Sequence, residues 1–171
     1  MLFLVFELDG ERYALDAREI VRVLPLQPVR AFAGTPPFIA GVIDHEGAPV
    51  PVVDMAQLAL GRPAQALMST RLVLVNEGVD PRSLQPRRLA LLLECATRTQ
   101  SFAPGEFADG GIATPDARWL GPVARDAHGF VQWVKVDQLL DARVRALLFP
   151  DPPTWQGGDA LAGHAPTGRA P

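Results

Sequence analysis

The run Ile39-Ala40-Gly41-Val42-Ile43-Asp44-His45-Glu46-Gly47-Ala48-Pro49-Val50-Pro51-Val52-Val53-Asp54 leaves room for one local structure. Two stretches rich in β-branched residues flank a polar, glycine-bearing turn, which predicts a hairpin. Asp54 stands directly before Met55-Ala56-Gln57-Leu58-Ala59-Leu60, at the N-cap position of a short helix that Gly61 can end. A related pattern returns from Trp119 to Asp137. A duplicated β unit whose few reactive side chains sit at a turn points to a binding scaffold rather than an enzyme.

The chain of 171 residues carries 16 basic and 19 acidic side chains, a net charge of −3, and is 48% hydrophobic. That length suits one domain or two closely packed halves. The mild acidity opposes a general nucleic-acid binder, which would present a basic surface. Cys95 is the single cysteine and lies in the apolar run Leu89–Cys95. It reads as a small buried hydrophobe, with no disulfide to form. No apolar run approaches the about 20 residues that span a bilayer, so direct membrane insertion is not expected. Met1–Phe6 has no basic leader and runs into Glu7 and Asp9, so it reads as a strand and not a signal peptide. A cytoplasmic location follows by elimination.

Along the chain, Asp9-Gly10 predicts a hairpin between residues 2–8 and 12–15. Asp16 is placed to cap a helical turn over Ala17–Glu19. Ile20–Leu24 reads as a further strand, ended by Pro25 and Pro28, and residues 30–38 read as a surface loop. Residues 62–69 form a linker. Arg71–Val75 and Leu89–Cys95 pair across a long loop, 76–88, that bears Arg82, Arg87 and Arg88. Thr97–Phe102 is another strand, and 103–117 is loop. Arg118–Ala124 and Phe130–Val136 make a late hairpin around His128-Gly129. Asp137 then caps a helix through Leu148, with Leu140, Val144, Leu147 and Leu148 on one buried face. The aromatic residues fall mostly in strands and should fill cores. The tail from Pro150 is rich in Pro, Gly and Ala and is expected to be disordered.

Each half thus begins with a strand pair (2–15 and 70–95) and ends with a hairpin and an Asp-capped helix (39–60 and 119–148). Gly41 answers Gly121, and Val53-Asp54 answers Val136-Asp137. The expected fold is mainly β: two small barrels side by side fit the duplication, with short helices and a C-terminal helix. Their segments are roughly 16–68 and 70–136, with the termini packing across, within a domain spanning 2–149.

Assembled chemistry is not visible. His45, His128 and His164 have no metal-ligand spacing. No phosphate-binding glycine loop or nucleophile elbow occurs. Asp44 with Glu46, and Asp16 with Glu19, are close carboxylates at turns, where solvation is the ordinary outcome. No catalytic residue, cofactor or metal is expected. An enzyme or a nucleic-acid-binding protein on a small β-barrel remains the lesser alternative.

Phe3–Asp16, Ile20–Leu24, Pro37–Ile43 and Pro49–Asp54 together resemble the CheW-like family, the adaptors of bacterial chemosensory arrays. Leu120-Gly121 and Val134–Asp137 are its anchors in the second half. The resemblance implies two pseudo-symmetric SH3-like five-stranded β-barrels packed on a shared core, with no catalysis and no cofactor. It implies a bridge between the cytoplasmic tip of a chemoreceptor and the regulatory domain of a CheA-type histidine kinase. Val21, Val23, Ile39, Val42 and Ile43, with His45 and Glu46, are the receptor-binding candidates; no residue is assigned to the kinase. The family has Asn-aliphatic-Arg-Gly at the hairpin turn, where this chain has Asp44-His45-Glu46-Gly47. That charge reversal raises two possibilities: a specialised receptor carrying a complementary basic residue, or a pathway controlling surface motility or a second messenger.

Overall fold

Short turns decide which strands can pair. The computed structural model describes residues 1–151. Strands β1 (Leu2–Leu8) and β2 (Glu11–Asp16) meet at Asp9-Gly10, both at positive φ (49° and 83°), the conformation of a two-residue hairpin turn. β3 (Ile20–Pro25) follows the turn Ala17–Glu19, capped by Asp16, which accepts the Arg18 N–H. β4 (Ile39–His45) and β5 (Ala48–Asp54) form the expected hairpin. Asp54 then caps α1 (Met55–Leu60), accepting the Gln57 N–H at 3.0 Å. Next come β6 (Arg71–Val79), β7 (Pro86–Leu93), β8 (Arg98–Ser101), β9 (Leu120–Asp126), β10 (Gly129–Val134) and α2 (Ala142–Leu148).

The strands make two five-stranded sheets, ordered β8-β1-β2-β10-β9 and β3-β6-β7-β5-β4. The two orders correspond strand for strand, with one exchange. The opening hairpin of each half completes the sheet of the other: β1–β2 joins β8–β10, and β6–β7 joins β3–β5. Parallel pairs, β2 with β10 and β5 with β7, stitch each hairpin to its host. The halves therefore do not divide near residue 69. Residues 20–93 build one sheet, and 2–16 with 98–134 build the other.

Neither sheet closes through a strand ladder, so the barrels expected from the resemblance are open. A flat sheet of five strands would hold its edges about 19 Å apart, at about 4.8 Å per spacing. Here the edges converge. Arg22 of β3 lies 3.4 Å from Glu46 of the β4–β5 turn. One bridge stands at each seam: Arg30 and Val42 exchange N–H···O bonds of 2.9 and 2.8 Å, and Ala108 and Val123 do the same at 2.9 and 2.8 Å. Pro25 and Pro28, and Pro104 beyond β8, supply no N–H donor, which works against a longer ladder there.

The apolar runs bury both faces of their strands. Leu89, Leu91 and Leu93 point into a core shared by the two sheets, with Leu4, Phe6, Leu8, Leu15, Val73 and Val75. The alternate residues Leu72 and Ala90 fill the inside of the second sheet with Ile43, Val50 and Val52. Phe3, Ala14, Phe102 and Val131 fill the first, where Phe3 meets Phe102, Phe107 and Trp133 at ring-centroid distances of 5.7, 5.0 and 5.1 Å. Two buried faces remove the apolar–polar alternation that a one-sided strand would show. Not every aromatic is used this way, since Phe32 and Phe130 are exposed.

Several local expectations change. β6 and β7 run well into the predicted loop and leave only 80–85 between them. Asp137 caps nothing: it lies inside a 3-10 turn, Val136–Gln138, and Asp141 caps the helix, accepting the Val144 N–H at 2.7 Å. Leu147 faces solvent. Cys95 is half-buried and takes φ +50° at the turn after β7. The linker 62–69 is pinned: the Glu94 carboxylate, itself buried, binds Arg62 at 2.6 Å and accepts the Gln65 N–H at 2.8 Å. The tail expectation falls, from residue 152 onward, outside the described residues.

Glu19 sits where β2 of one sheet passes to β3 of the other. Its Oε2 is buried without a hydrogen-bond partner. Burial first, then the carboxylates of Asp16 and Asp137, push its carboxyl up to about 7, against the pull of Lys135 and Arg18. The folded state therefore holds a proton that the unfolded chain releases near its ordinary value of 4.5. Stability is expected to fall as pH rises from 4.5 to about 7, and to be level in this respect above it. Chemical denaturation at pH 5 and pH 8 should show that difference shrink in Glu19→Gln; an identical pH dependence in the variant would refute the assignment.

Candidate partner-binding surface

The β4–β5 turn is built by its own backbone. Glu46 (φ 54°) and Gly47 (φ 81°) are both left-handed, and Asp44 accepts the Gly47 N–H at 2.8 Å. The left-handed positions match the turn to the twist of the strands. Glycine takes that conformation freely, whereas Glu46 pays for it. The Glu46 side chain is 74% exposed, 3.4 Å from Arg22 and 3.9 Å from His45 Nε2. The Glu46 carboxylate thus meets a cation of the same chain. Both members of the Arg22–Glu46 pair are exposed, so it contributes about 0–1 kcal/mol and leaves Glu46 free to choose another partner.

The candidate aliphatic residues do not form one patch. Val21 and Val23 are exposed on β3; Val23 is level with Val73 of the shared core, whereas Val21 lies in the bulge between Ile20 and Arg22. Ile39 (5% exposed) belongs to the shared core and Ile43 (2%) to the inside of the second sheet. Both are packing residues, and neither offers a surface to a partner. Strict alternation sets Val42 apart from Ile39 and Ile43 but puts those two on one face; β4 carries a bulge between Ile39 and Gly41, and the two enter different clusters.

Val42 points away from that core into a groove of about 450 Å³ lined by Phe32, Gly34, Pro49, Pro51, Leu147 and Phe149, among others. Sequence reading missed this groove. It assigned Phe32 to a loop and Leu147 to a buried helix face. The isolated aromatic within a Gly/Pro loop was the available signal.

Convergent chemistry is not on display. Among the described residues no group of three His, Cys, Asp or Glu side chains could hold a metal ion, and no helix is long and apolar enough to cross a membrane. The Asp126 carboxylate is fully engaged. It accepts two hydrogen bonds from Arg12 (2.7 and 2.8 Å), one from Gln100 (2.7 Å) and the His128 N–H (2.8 Å). These donors, Arg12 foremost, hold its carboxyl well below the usual range. The ion pair ties β2 to the edge strands β8 and β9 and has a structural role.

Two curled five-stranded sheets around a shared core define a two-sheet scaffold domain. The chain belongs to the CheW-like domain family, whose model matches residues 2–144. The family is a non-catalytic scaffold in chemotaxis signalling. Among curated proteins it is similar to "Chemotaxis protein CheW" of Klebsiella aerogenes, at 36% identity over 53 residues, 31% of this chain. The match spans 32% of that relative's length. Among solved structures it is similar to the scaffolding protein TtCheW from Thermoanaerobacter tengcongensis. That match has a TM-score of 0.71 at 18% identity and covers 84% of this chain and 89% of the other, a likeness of fold.

Proposed function

We propose that this chain is a cytoplasmic adaptor that couples the tip of a chemoreceptor to the regulatory domain of a CheA-type histidine kinase. Membership of the CheW-like family across 2–144 is the observation that carries this reading. Exposed Val21 and Val23, and the projecting Glu46 turn, support a receptor contact at the β3 edge and the β4–β5 turn. Receptor specificity follows from Glu46: a carboxylate there favours a receptor that carries a basic residue opposite it. A specialised chemosensory pathway, controlling surface motility or a second messenger, is the form of this function that the reversed charge favours.

Titration of the purified protein against a receptor-tip fragment and a kinase regulatory domain tests the reading. Binding at or below about 100 μM, roughly −5.5 kcal/mol, is expected for each. No binding to either partner at that level would sink it. Glu46→Arg is expected to weaken receptor binding about tenfold, a cost of about 1.4 kcal/mol, while leaving the exposed turn folded. Unchanged affinity would remove Glu46 from the interface.

A further inference from the structure

Past Val75 the β6–β7 ladder leaves its neighbours behind. β3 accompanies β6 only from Arg71 to Val75, and β5 accompanies β7 only at Ala90–Leu92. The remaining pairs, Asn76↔Arg88, Gly78↔Arg87 and Val79↔Pro86, form a ribbon with no paired strand on either side. Isolated two-stranded ribbons are marginal in water. This one is anchored at its base, where the buried Glu77 carboxylate lies 3.0 Å from Arg87 and 2.5 Å from Arg145 of α2.

The tip is built as well. Asp80 accepts the N–H groups of Arg82 (2.8 Å) and Ser83 (3.3 Å). The Asp80 N–H donates to the Gln85 carbonyl at 2.9 Å, and the Leu84 N–H to the Asp80 carbonyl at 2.9 Å. The result holds Leu84 at φ +56°, with the residue 75% exposed. A leucine in that region is strained, and here it buries little in return. Exposed Val79 and Arg82, and half-exposed Arg88, share the ribbon. The one ion pair of Arg82 among the described residues is with Asp151, at 3.3 Å and exposed on both sides.

The ribbon and the Glu46 turn leave the sheet at one end. Val52 is level with Ala90 in the parallel β5–β7 pair. Counting back four residues on each strand sets Ala48, at the turn, level with Pro86, at the ribbon.

We propose that residues 76–88 are a second contact element for the same receptor tip that Glu46 faces. Leu84 enters an apolar socket, and Arg82 and Arg88 face carboxylates beside it. This assignment rests on the adaptor reading. It selects the receptor over the kinase because the finger continues the end of the sheet that carries the Glu46 turn. Together they present a carboxylate and two guanidinium groups, which fits a partner of alternating charge.

The full chain is the protein to test, titrated against the receptor-tip fragment and, separately, the kinase regulatory domain. Leu84→Gly and Leu84→Asn both suit the left-handed backbone, so the unfolding midpoint should hold or rise. Receptor affinity should fall at least fivefold in both, and kinase affinity should stay constant. Arg82→Glu should weaken receptor binding in the same direction, with an effect that shrinks in high salt. Unchanged receptor affinity in both Leu84 variants would overturn the finger, as would a loss confined to the kinase. If the unaltered chain binds neither partner, the adaptor reading fails and this assignment falls with it; if it binds both and the variants match it, only the finger fails.

Discussion

Glu77→Ala is expected to destabilise the protein by about 3 kcal/mol, the low end of the cost of breaking a buried ion pair. The Glu77 side chain has 0% exposure and faces two guanidinium groups, Arg87 from β7 and Arg145 from α2. Arg145 also donates to the carbonyls of Asp137 (3.2 Å) and Leu140 (3.1 Å), and Arg87 lies 5.5 Å from the Phe149 ring centroid. One carboxylate therefore ties the base of the β6–β7 ribbon to the C-terminal helix. Its removal leaves two cations facing each other with no anion between them. They are 22% and 28% exposed, so water relieves part of the cost, which is why the low end applies. Glu77→Gln keeps the volume and should lose less. Urea denaturation reads both variants: the midpoint should drop with little change in slope. Hydrogen exchange at 142–148 should accelerate in Glu77→Ala. A loss below about 1 kcal/mol, typical of an exposed pair, would show that the arginines are satisfied without Glu77.

Gly41→Ala is expected to cost about 3 kcal/mol or more, at or beyond the upper end of ordinary overpacking. Its added Cβ would stand 2.0 Å from the Arg30 carbonyl oxygen and 2.5 Å from the Arg30 carbonyl carbon. Both are backbone atoms, and no rotamer change can clear them. The φ of +143° adds strain for any residue with a side chain. Relief requires separating Arg30 from β4, which breaks the two hydrogen bonds between Arg30 and Val42 that stand at the seam of the second sheet. Gly121 makes the control: a Cβ there meets the Trp133 carbonyl oxygen at 3.0 Å and otherwise the flexible Lys135 side chain, at 3.1 Å. Gly121→Ala should therefore cost much less. Equal losses in the two variants would mean that the Arg30 contact is not what Gly41 serves.

That comparison also marks how far the internal echo can be read. Gly41 and Gly121 answer each other in sequence and both lie in edge strands, yet the facing backbone would stand 2.0 Å from a Cβ at Gly41 and 3.0 Å from one at Gly121. Asp54 and Asp137 answer each other too, yet only Asp54 caps a helix. The second helix starts later because Asp141 offers a carboxylate to the Val144 N–H. Both residues satisfy the same local rule, and local rules do not rank two eligible aspartates.

What the sequence alone determined was local. Asp-Gly and Glu-Gly turns, Asp caps and short apolar, β-branched runs specify hairpins and short helices within a few residues of each other, and Phe3–Asp16, Ile20–Leu24, Pro37–Ile43 and Pro49–Asp54 together carried the family resemblance. Tertiary structure decided the rest. Exchange of the opening hairpins between sheets depends on parallel pairs, β2 with β10 and β5 with β7, that join strands far apart in the chain. No turn encodes such a pair. The separation of Ile39 and Ile43 into the shared core and the inside of the second sheet was likewise invisible, because strict alternation puts both on one face and β4 carries a bulge between Ile39 and Gly41. The Arg22–Glu46 contact exists only because the sheet curls until its edges meet. Turn residues act over a few bonds, whereas sheet pairing and curvature are settled by which apolar faces can be buried together, a property of the whole chain.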